Sequence, residues 1–162
     1  MKKPKVFVSK KISKEVEEYI GKHCDYRIWQ GENKLTYAEI LNEIEDVDGL
    51  LLSVIKVDEN LLNHAPNLKV ISNTTVGYNN FDLEAMKDRG IIGTNTAGSL
   101  DDTVADLILG LIISTARRFI EFDKYVRDGK WEKGDEEVFF GKDVSGSSLG
   151  IIGMGRIGEK VA

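Results

Sequence analysis

Residues 49–72 read GLLLSVIKVDENLLNHAPNLKVIS, and this stretch decides the fold class. Gly49 to Leu52 is an apolar run of strand length. Asp58 then stands where a helix N-cap is wanted, the helix runs through Leu62, and Pro66 stops it before a second apolar run at Val70 to Ser72. Short apolar strands joined by helices are the βα repeats that build a parallel sheet. The pattern extends in both directions. Upstream, Lys5 to Ser9 reads as a strand, Ser13 to about His23 as a helix with Val16, Tyr19 and Ile20 on one face, and Tyr26 to Trp29 as the next strand. Thr36 with Glu39 three residues on is a capping box, opening a helix whose buried stripe is Ile40, Leu41 and Ile44. Downstream, Asp82 caps a helix through Arg89, Gly90 stands where a left-handed C-cap is wanted, and Ile91 to Gly93 is a brief further strand.

From about Asp102 the pattern changes. Val104, Leu107, Ile108, Leu109, Leu111, Ile112 and Ile113 leave almost no polar face before Arg117 and Arg118, so this helix is expected to be buried nearly all round, against another domain or subunit. It is too short for a membrane span, which needs about 20 mostly apolar residues. Phe119 to Arg127 continues with mixed polarity, and Asp128-Gly129-Lys130-Trp131 ends it. Residues 132–148 are charged and rich in Gly and Ser, the composition of an exposed connection.

With 162 residues, 41% hydrophobic, 30% charged and only 2 Pro, the chain has the composition of an ordinary globular protein, not a disordered or collagen-like one. A formal charge of -5 argues against a general binder of nucleic acid or anionic membrane, since both need a basic face. The single Cys24 cannot form an internal disulfide, and the opening MKKPKVFVSK has no apolar signal region, so the reducing cytoplasm is the expected compartment.

Ser148 to Ile152 has a strand pattern and leads into Gly153-Met154-Gly155-Arg156-Ile157-Gly158, a GxGxxG fingerprint. The first glycine permits a tight turn, the second lets the backbone approach a pyrophosphate, and the third lets helix and strand pack closely. Phosphate would rest on the N-terminus of the helix that begins there. The acidic residue that would read the cofactor ribose about 20 positions on lies beyond Ala162, so NAD and NADP are not distinguished. A βαβ unit needs some 30 residues or more, so the dinucleotide site is expected to be incomplete.

Taken in order, Asn67-Leu68-Lys69-Val70-Ile71, Val76-Gly77-Tyr78-Asn79-Asn80-Phe81-Asp82-Leu83, Lys87-Asp88-Arg89-Gly90-Ile91 and Asn95-Thr96-Ala97-Gly98 carry a resemblance that continues through Thr103-Val104-Ala105-Asp106-Leu107, Ala116-Arg117-Arg118, Gly129-Lys130-Trp131 and Leu149 to Gly158. The chain resembles the N-terminal half of the D-isomer-specific 2-hydroxyacid dehydrogenases, and among them glyoxylate and hydroxypyruvate reductases. That resemblance implies an α/β fold: a flavodoxin-like parallel-sheet substrate domain over residues 1–100, an interdomain or dimerisation helix and arm over 101–147, and over 148–162 the first strand and Gly-rich turn of a Rossmann NAD(P)-binding domain. It implies that the loop with Val76 and Gly77 takes the substrate carboxylate on backbone amides. It places Val104 near the cofactor, Gly153, Gly155, Arg156, Ile157 and Gly158 beside the pyrophosphate, and a homodimer contact on the helix around 102–118. The implied substrate is a small 2-oxo acid and the cofactor NAD or NADP; no metal, nucleic acid or membrane partner is implied. The family's catalytic Arg, Glu and His belong to the half after residue 162, so this chain alone is expected to be inactive. Ala97 replaces the family's usual proline, and Ile55 stands where the substrate loop is often polar.

Several residues have plainer explanations. His23 and His64 lie near helix C-termini, where an imidazole favours the dipole. Asp101 and Asp102 read as caps of the apolar helix, and Arg117 and Arg118 as a C-terminal pair favouring its dipole. Cys24 has no adjacent base to activate it. Gly77 fits either a tight turn that needs glycine or the substrate loop. A non-catalytic binding or dimerisation module, a truncated remnant or a dehydrogenase-like corepressor, is the alternative to an enzyme.

Overall fold

A computed structural model of the chain describes residues 2–133 and 140–162. They pack as two compact units, Met1–Ala97 and Gly98–Ala162. In the first unit strands alternate with helices: β1 (Lys5–Val8), α1 (Lys14–His23), β2 (Asp25–Ile28), α2 (Tyr37–Glu43), β3 (Gly49–Leu52), α3 (Glu59–His64), β4 (Val70–Asn73), α4 (Leu83–Asp88) and β5 (Ile92–Thr94). The strands are all parallel in the order β2-β1-β3-β4-β5, the flavodoxin-like arrangement.

Each helix of this unit starts on a side chain that accepts a backbone N–H three residues on. Ser13 takes Val16, Thr36 takes Glu39, Asp58 takes Leu61 and Asp82 takes Ala85. At Thr36 the bond is reciprocated, the Thr36 amide donating to Glu39 Oε2 at 2.8 Å. Such a cap contributes about 1 kcal/mol and acts within one turn, so it sets the helix start before any distant packing forms.

Register aligns Phe7, Leu50 and Ile71 with Gly93 in one row across the sheet. Phe7, Leu50, Ile71 and Leu52 form a buried core with Ile40, Leu61, Leu62, Ala85 and Met86 of α2, α3 and α4 and with Ile44, the C-cap of α2. Gly93 leaves room for neighbours already there: a Cβ would lie 3.0 Å from Phe81 Cε2 and 3.1 Å from Met86 Cε. β5 begins at Ile92, one residue later than the sequence pattern suggests. Ile91 is buried, its amide bonded to Met86 O at 2.9 Å, while Ile92 points outward and is 64% exposed. Alternation along a strand makes a one-residue offset a change of face.

The second unit contains α5 (Asp101–Ala116), α6 (Phe119–Arg127) and α7 (Arg156–Val161). The expected all-round burial of α5 is not met within this chain. Only Asp101 and Ala105 are buried, while Leu107, Leu109, Leu111 and Ile113 are exposed, because the six residues of α7 that pack on α5 cannot cover sixteen. Ser148 to Ile152, expected as a strand, makes no ladder among the described residues. A strand needs a neighbour to accept its N–H groups and donate to its carbonyls, and this unit offers none. Of the expected connection over 132–148, residues 134–139 lie outside the described ones. Lys142 N–H donates to Ala116 O at 2.8 Å, and Gly141 fits beside it because a Cβ would sit 2.3 Å from that same oxygen. Among the described residues no helix is long and apolar enough to cross a membrane.

At the amino end of the sheet, Asp46 accepts from Lys5 Nζ at 2.5 Å and from Arg27 Nη2 at 3.1 Å. These contacts, Lys5 first, hold its pKa down at about 2 from an ordinary 3.8. A carboxylate with a depressed folded pKa stabilises fully above its unfolded value, and that contribution fades as pH falls through the folded value. Thermal melts of the chain taken from pH 4 down to pH 2 should therefore fall more steeply than those of Asp46→Asn. Parallel curves would mean that the two contacts do not persist in solution.

Candidate functional site

In a parallel α/β sheet the loops that follow the strands gather at one edge, and ligands bind there. The most organised of these loops follows β4. Asn73 is the last residue of β4 and lies in register with Leu52, on the core-facing side, yet it is a polar side chain only 2% exposed. Its Nδ2 donates to Gly77 O at 3.0 Å and to Asn80 Oδ1 at 2.8 Å, and Asn80 Nδ2 answers with bonds to Asn73 Oδ1 at 3.3 Å and Ile55 O at 2.8 Å. Asn95 Nδ2 donates to Val76 O at 2.6 Å, and Thr75 Oγ1 to Gly77 O at 3.0 Å. Side-chain amides thus hold the carbonyls of the loop. Among the described residues, no acceptor takes the backbone N–H of Thr75, Val76 or Gly77.

Three successive amides without internal acceptors offer partial positive charge to an anion without bringing a counterion. Gly77 does not adopt a left-handed φ, so the turn itself does not require glycine. A Cβ there would instead press on Asn79 Oδ1 at 3.2 Å. Thr74, just before this loop, has a buried hydroxyl with no hydrogen-bond partner.

The Gly-rich turn in the second unit has the three distinct glycine environments that its motif anticipates. Gly153 sits at φ +96, where a side chain would be strained. Gly155 is the extended N-cap of α7, and a Cβ there would meet nothing within 4 Å. Gly158 packs so closely that a Cβ would lie 2.3 Å from Gly153 O. The open side at Gly155 leaves the room a pyrophosphate needs, so the turn fits that part of a dinucleotide. Ile157 is half-buried in the first turn of α7, and Val104 is half-buried in the first turn of α5.

Arg156 Nε lies 3.1 Å from Asp101 Oδ2, and Lys160 Nζ 2.8 Å from Asp102 Oδ1. The Asp102 carboxylate holds the Lys160 pKa above its usual value. These pairs correct the capping role expected for the two aspartates: the N-cap of α5 is Leu100, with no side-chain cap, and both carboxylates point to cations of α7. Arg117 does close α5 as its C-cap and pairs with Asp143 at 3.5 Å, whereas Arg118 turns left-handed, opens α6 and bonds Glu121.

His23 and His64 occupy the last turns of α1 and α3, each leading to the amino end of the following strand and so to the edge away from these loops. His64 Nδ1 is engaged with Asn60 O at 2.7 Å. Cys24 is the C-cap of α1. Among the described residues no group of three or more His, Cys, Asp or Glu could hold a metal ion. Sequence reasoning missed the organising role of Asn73. Its signal was a polar residue two positions after Ile71, on the side of a strand that should be apolar.

Asn73→Leu keeps the branched shape but takes one of two donors from Gly77 O and strands Asn80 Oδ1. We expect a loss of about 2 kcal/mol in urea unfolding, together with faster hydrogen exchange over residues 74–80. Unchanged exchange in that loop would mean the asparagine network does not organise it.

The profile of the D-isomer specific 2-hydroxyacid dehydrogenase catalytic domain matches residues 6–150. The glyoxylate reductase of Thermococcus litoralis is 39% identical over 165 residues, covering 99% of this chain and 50% of that protein. Among solved structures, the TT0316 protein of Thermus thermophilus superposes with a TM-score of 0.87 at 36% identity, covering 97% of this chain and 51% of that one. An NADPH-dependent glyoxylate/hydroxypyruvate reductase of Sinorhizobium meliloti, solved with NADP and malonate, superposes with a TM-score of 0.76 at 27% identity, covering 98% and 49%. The chain spans about half the length of the curated relatives it matches. A parallel sheet in flavodoxin-like order, an amide-lined loop after β4, a Gly-rich turn and a profile match over most of the chain together place it in the D-isomer specific 2-hydroxyacid dehydrogenase family.

Proposed function

We propose that this chain supplies the substrate-binding part, and the opening of the dinucleotide-binding part, of an oxidoreductase that moves hydride between a nicotinamide cofactor and a small 2-oxo or 2-hydroxy acid of the glyoxylate or hydroxypyruvate kind. The observation that carries the reading is the row of acceptor-free amides at Thr75, Val76 and Gly77, fixed by Asn73, Asn80 and Asn95. Val76 and Gly77 donate to the substrate carboxylate. In the second unit, Gly153, Gly155 and Gly158 shape the turn for the pyrophosphate, with Arg156 and Ile157 beside it and Val104 facing the cofactor. Bound NAD or NADP supplies the hydride acceptor or donor.

A cationic Arg to hold the carboxylate and carbonyl, and a Glu-paired His to exchange the substrate proton, complete this chemistry. Neither histidine here suits that role, since both lie toward the opposite edge of the sheet. The chain therefore works as part of a longer enzyme. The domain division proposed is a substrate domain over 1–100, a linking helix and arm over 101–147, and the start of the cofactor domain over 148–162. The free Cys24 suits a cytoplasmic setting. Mixing glyoxylate and NADPH or NADH with the 162-residue chain should give no loss of absorbance at the nicotinamide wavelength, whereas a protein extended to the length of the relatives should turn over. Turnover by the short chain would refute the division of labour.

The exposed Leu107, Leu109, Leu111 and Ile113 of α5 suit a homodimer contact. Sedimentation of the chain should give a dimer that Leu111→Glu disrupts; a monomer at all concentrations would remove this part of the reading.

A further inference from the structure

The first turn of α5 holds a buried charge that does not cap the helix. Asp101 is buried, yet the N-cap is Leu100 and no side chain bonds the free amides there. A carboxylate stripped of water needs a cation or donors within reach, because a buried charge that loses its partner is strongly destabilising. Arg156 meets that need, its Nε 3.1 Å from Asp101 Oδ2. The next carboxylate is in a different situation. Asp102 has a side chain 80% exposed, and its contact with Lys160 at 2.8 Å is a surface pair of the kind that contributes little and opens readily. Two neighbouring aspartates thus hold two cations of α7 with unequal firmness.

The Asp101 side chain is 11% exposed, whereas that of Arg156 remains 61% exposed. A guanidinium is a rigid planar fork carrying several N–H donors, so anchoring Nε also sets the direction of the others. A lysine ammonium has no such plane to set. Arg156 directly follows Gly155, where an added Cβ would meet nothing within 4 Å. The open side of the Gly-rich turn and the anchored fork therefore belong to adjacent residues. Asp101, Val104 and Ala105 lie three and four positions apart and share one face of α5. Asp101 and Ala105 are the buried residues of that helix, and Val104 between them is half-buried. The face that anchors Arg156 thus also carries the residue proposed to face the cofactor.

We propose that Asp101 is a positioning residue for the dinucleotide: it holds Arg156 so that the free side of the guanidinium meets the pyrophosphate beside Gly155, and it keeps its hold when the ligand is bound. The inference rests on the Gly-rich turn receiving the pyrophosphate. The contrary role is a carboxylate that competes with the ligand for Arg156. It suits an exposed acid, which releases its cation into water at little cost, and the burial of Asp101 argues against it. The two roles differ in sign. Removing a negative charge near an anion site strengthens binding by electrostatics alone, whereas removing a positioning residue weakens it.

The test is a titration of the ¹⁵N-labelled chain with inorganic pyrophosphate, followed at the amides of Gly155, Arg156 and Ile157 and at the Arg156 Nε–H. All four resonances should shift. Asp101→Asn should weaken binding about fivefold although it removes a negative charge, the loss expected when a charge-assisted contact is misdirected. Asp102→Asn, the same change one residue on, should leave the affinity unchanged or raise it. Arg156→Lys keeps the charge at an exposed position and should weaken binding as much as Asp101→Asn does. In an Arg156→Gln background Asp101→Asn should cause no further loss, since a positioning residue acts through the arginine alone. Tighter binding by Asp101→Asn would make the carboxylate a competitor and overturn the proposal. An equal loss in the Arg156→Gln background, the mark of a merely structural role, would also overturn it, as would full affinity in Arg156→Lys or a silent Nε–H beside shifting amides. Each of these outcomes leaves the turn standing as a pyrophosphate site. Silence at Gly155, Arg156 and Ile157 would overturn that reading and the positioning role with it.

Discussion

The reciprocal hydrogen bonding of Asn73 and Asn80 is the interaction on which the candidate substrate site depends. An unpaired buried amide is destabilising by about 1–3 kcal/mol, so a polar side chain at the end of a core-facing strand position demands partners. Asn73 finds them in Gly77 and Asn80, and Asn80 passes the constraint to Ile55 after β3. The loops after two neighbouring strands are thereby locked together. Because the loop's carbonyls are committed to these side chains, its N–H groups are left as the chemistry it presents. A demand generated in the core thus becomes a row of open amides at the rim.

What the sequence made legible was local. Thr36, Asp58 and Asp82 each cap the helix they were read to cap, since a cap involves an amide only three residues away, and Ser13, read as the start of its helix, caps it as well. The close approach in the terminal turn was readable for the same reason: Gly158 packs on the carbonyl of Gly153, only five residues before it. Non-local pairings were not readable. Asp101 and Asp102 have the residue type and position of caps, and only folding brings Arg156 and Lys160 to them. The composition of α5 correctly signalled an apolar surface but carries no information on what covers it, and within this chain its outer residues stay exposed. The Asn73 network was hidden because its partners lie in a loop without periodicity.

The two units divide the electrostatic work. In the first, most ion pairs gather at the amino end of the sheet, where Asp46 and Asp48 engage Lys5, Arg27 and Lys69, while at the opposite edge Lys56 pairs with Asp58. In the second unit carboxylates and cations bind α5 to α7 at the end where the Gly-rich turn opens. Net charge describes neither arrangement; the placement of individual pairs does.

The contact between Lys142 and Ala116 has a consequence for how this protein can vary. The chain leaves α5 at residue 116, makes the excursion that includes α6, and is returned by the Lys142 amide to the carbonyl from which it departed, with Gly141 admitting the close approach. The described residues 117–133 and 140–141 thus belong to an excursion that this contact closes. Closing a longer one adds only about 0.6 kcal/mol for each doubling of its length. A change of length there therefore costs little and leaves the contact that returns the chain to the end of α5 in place.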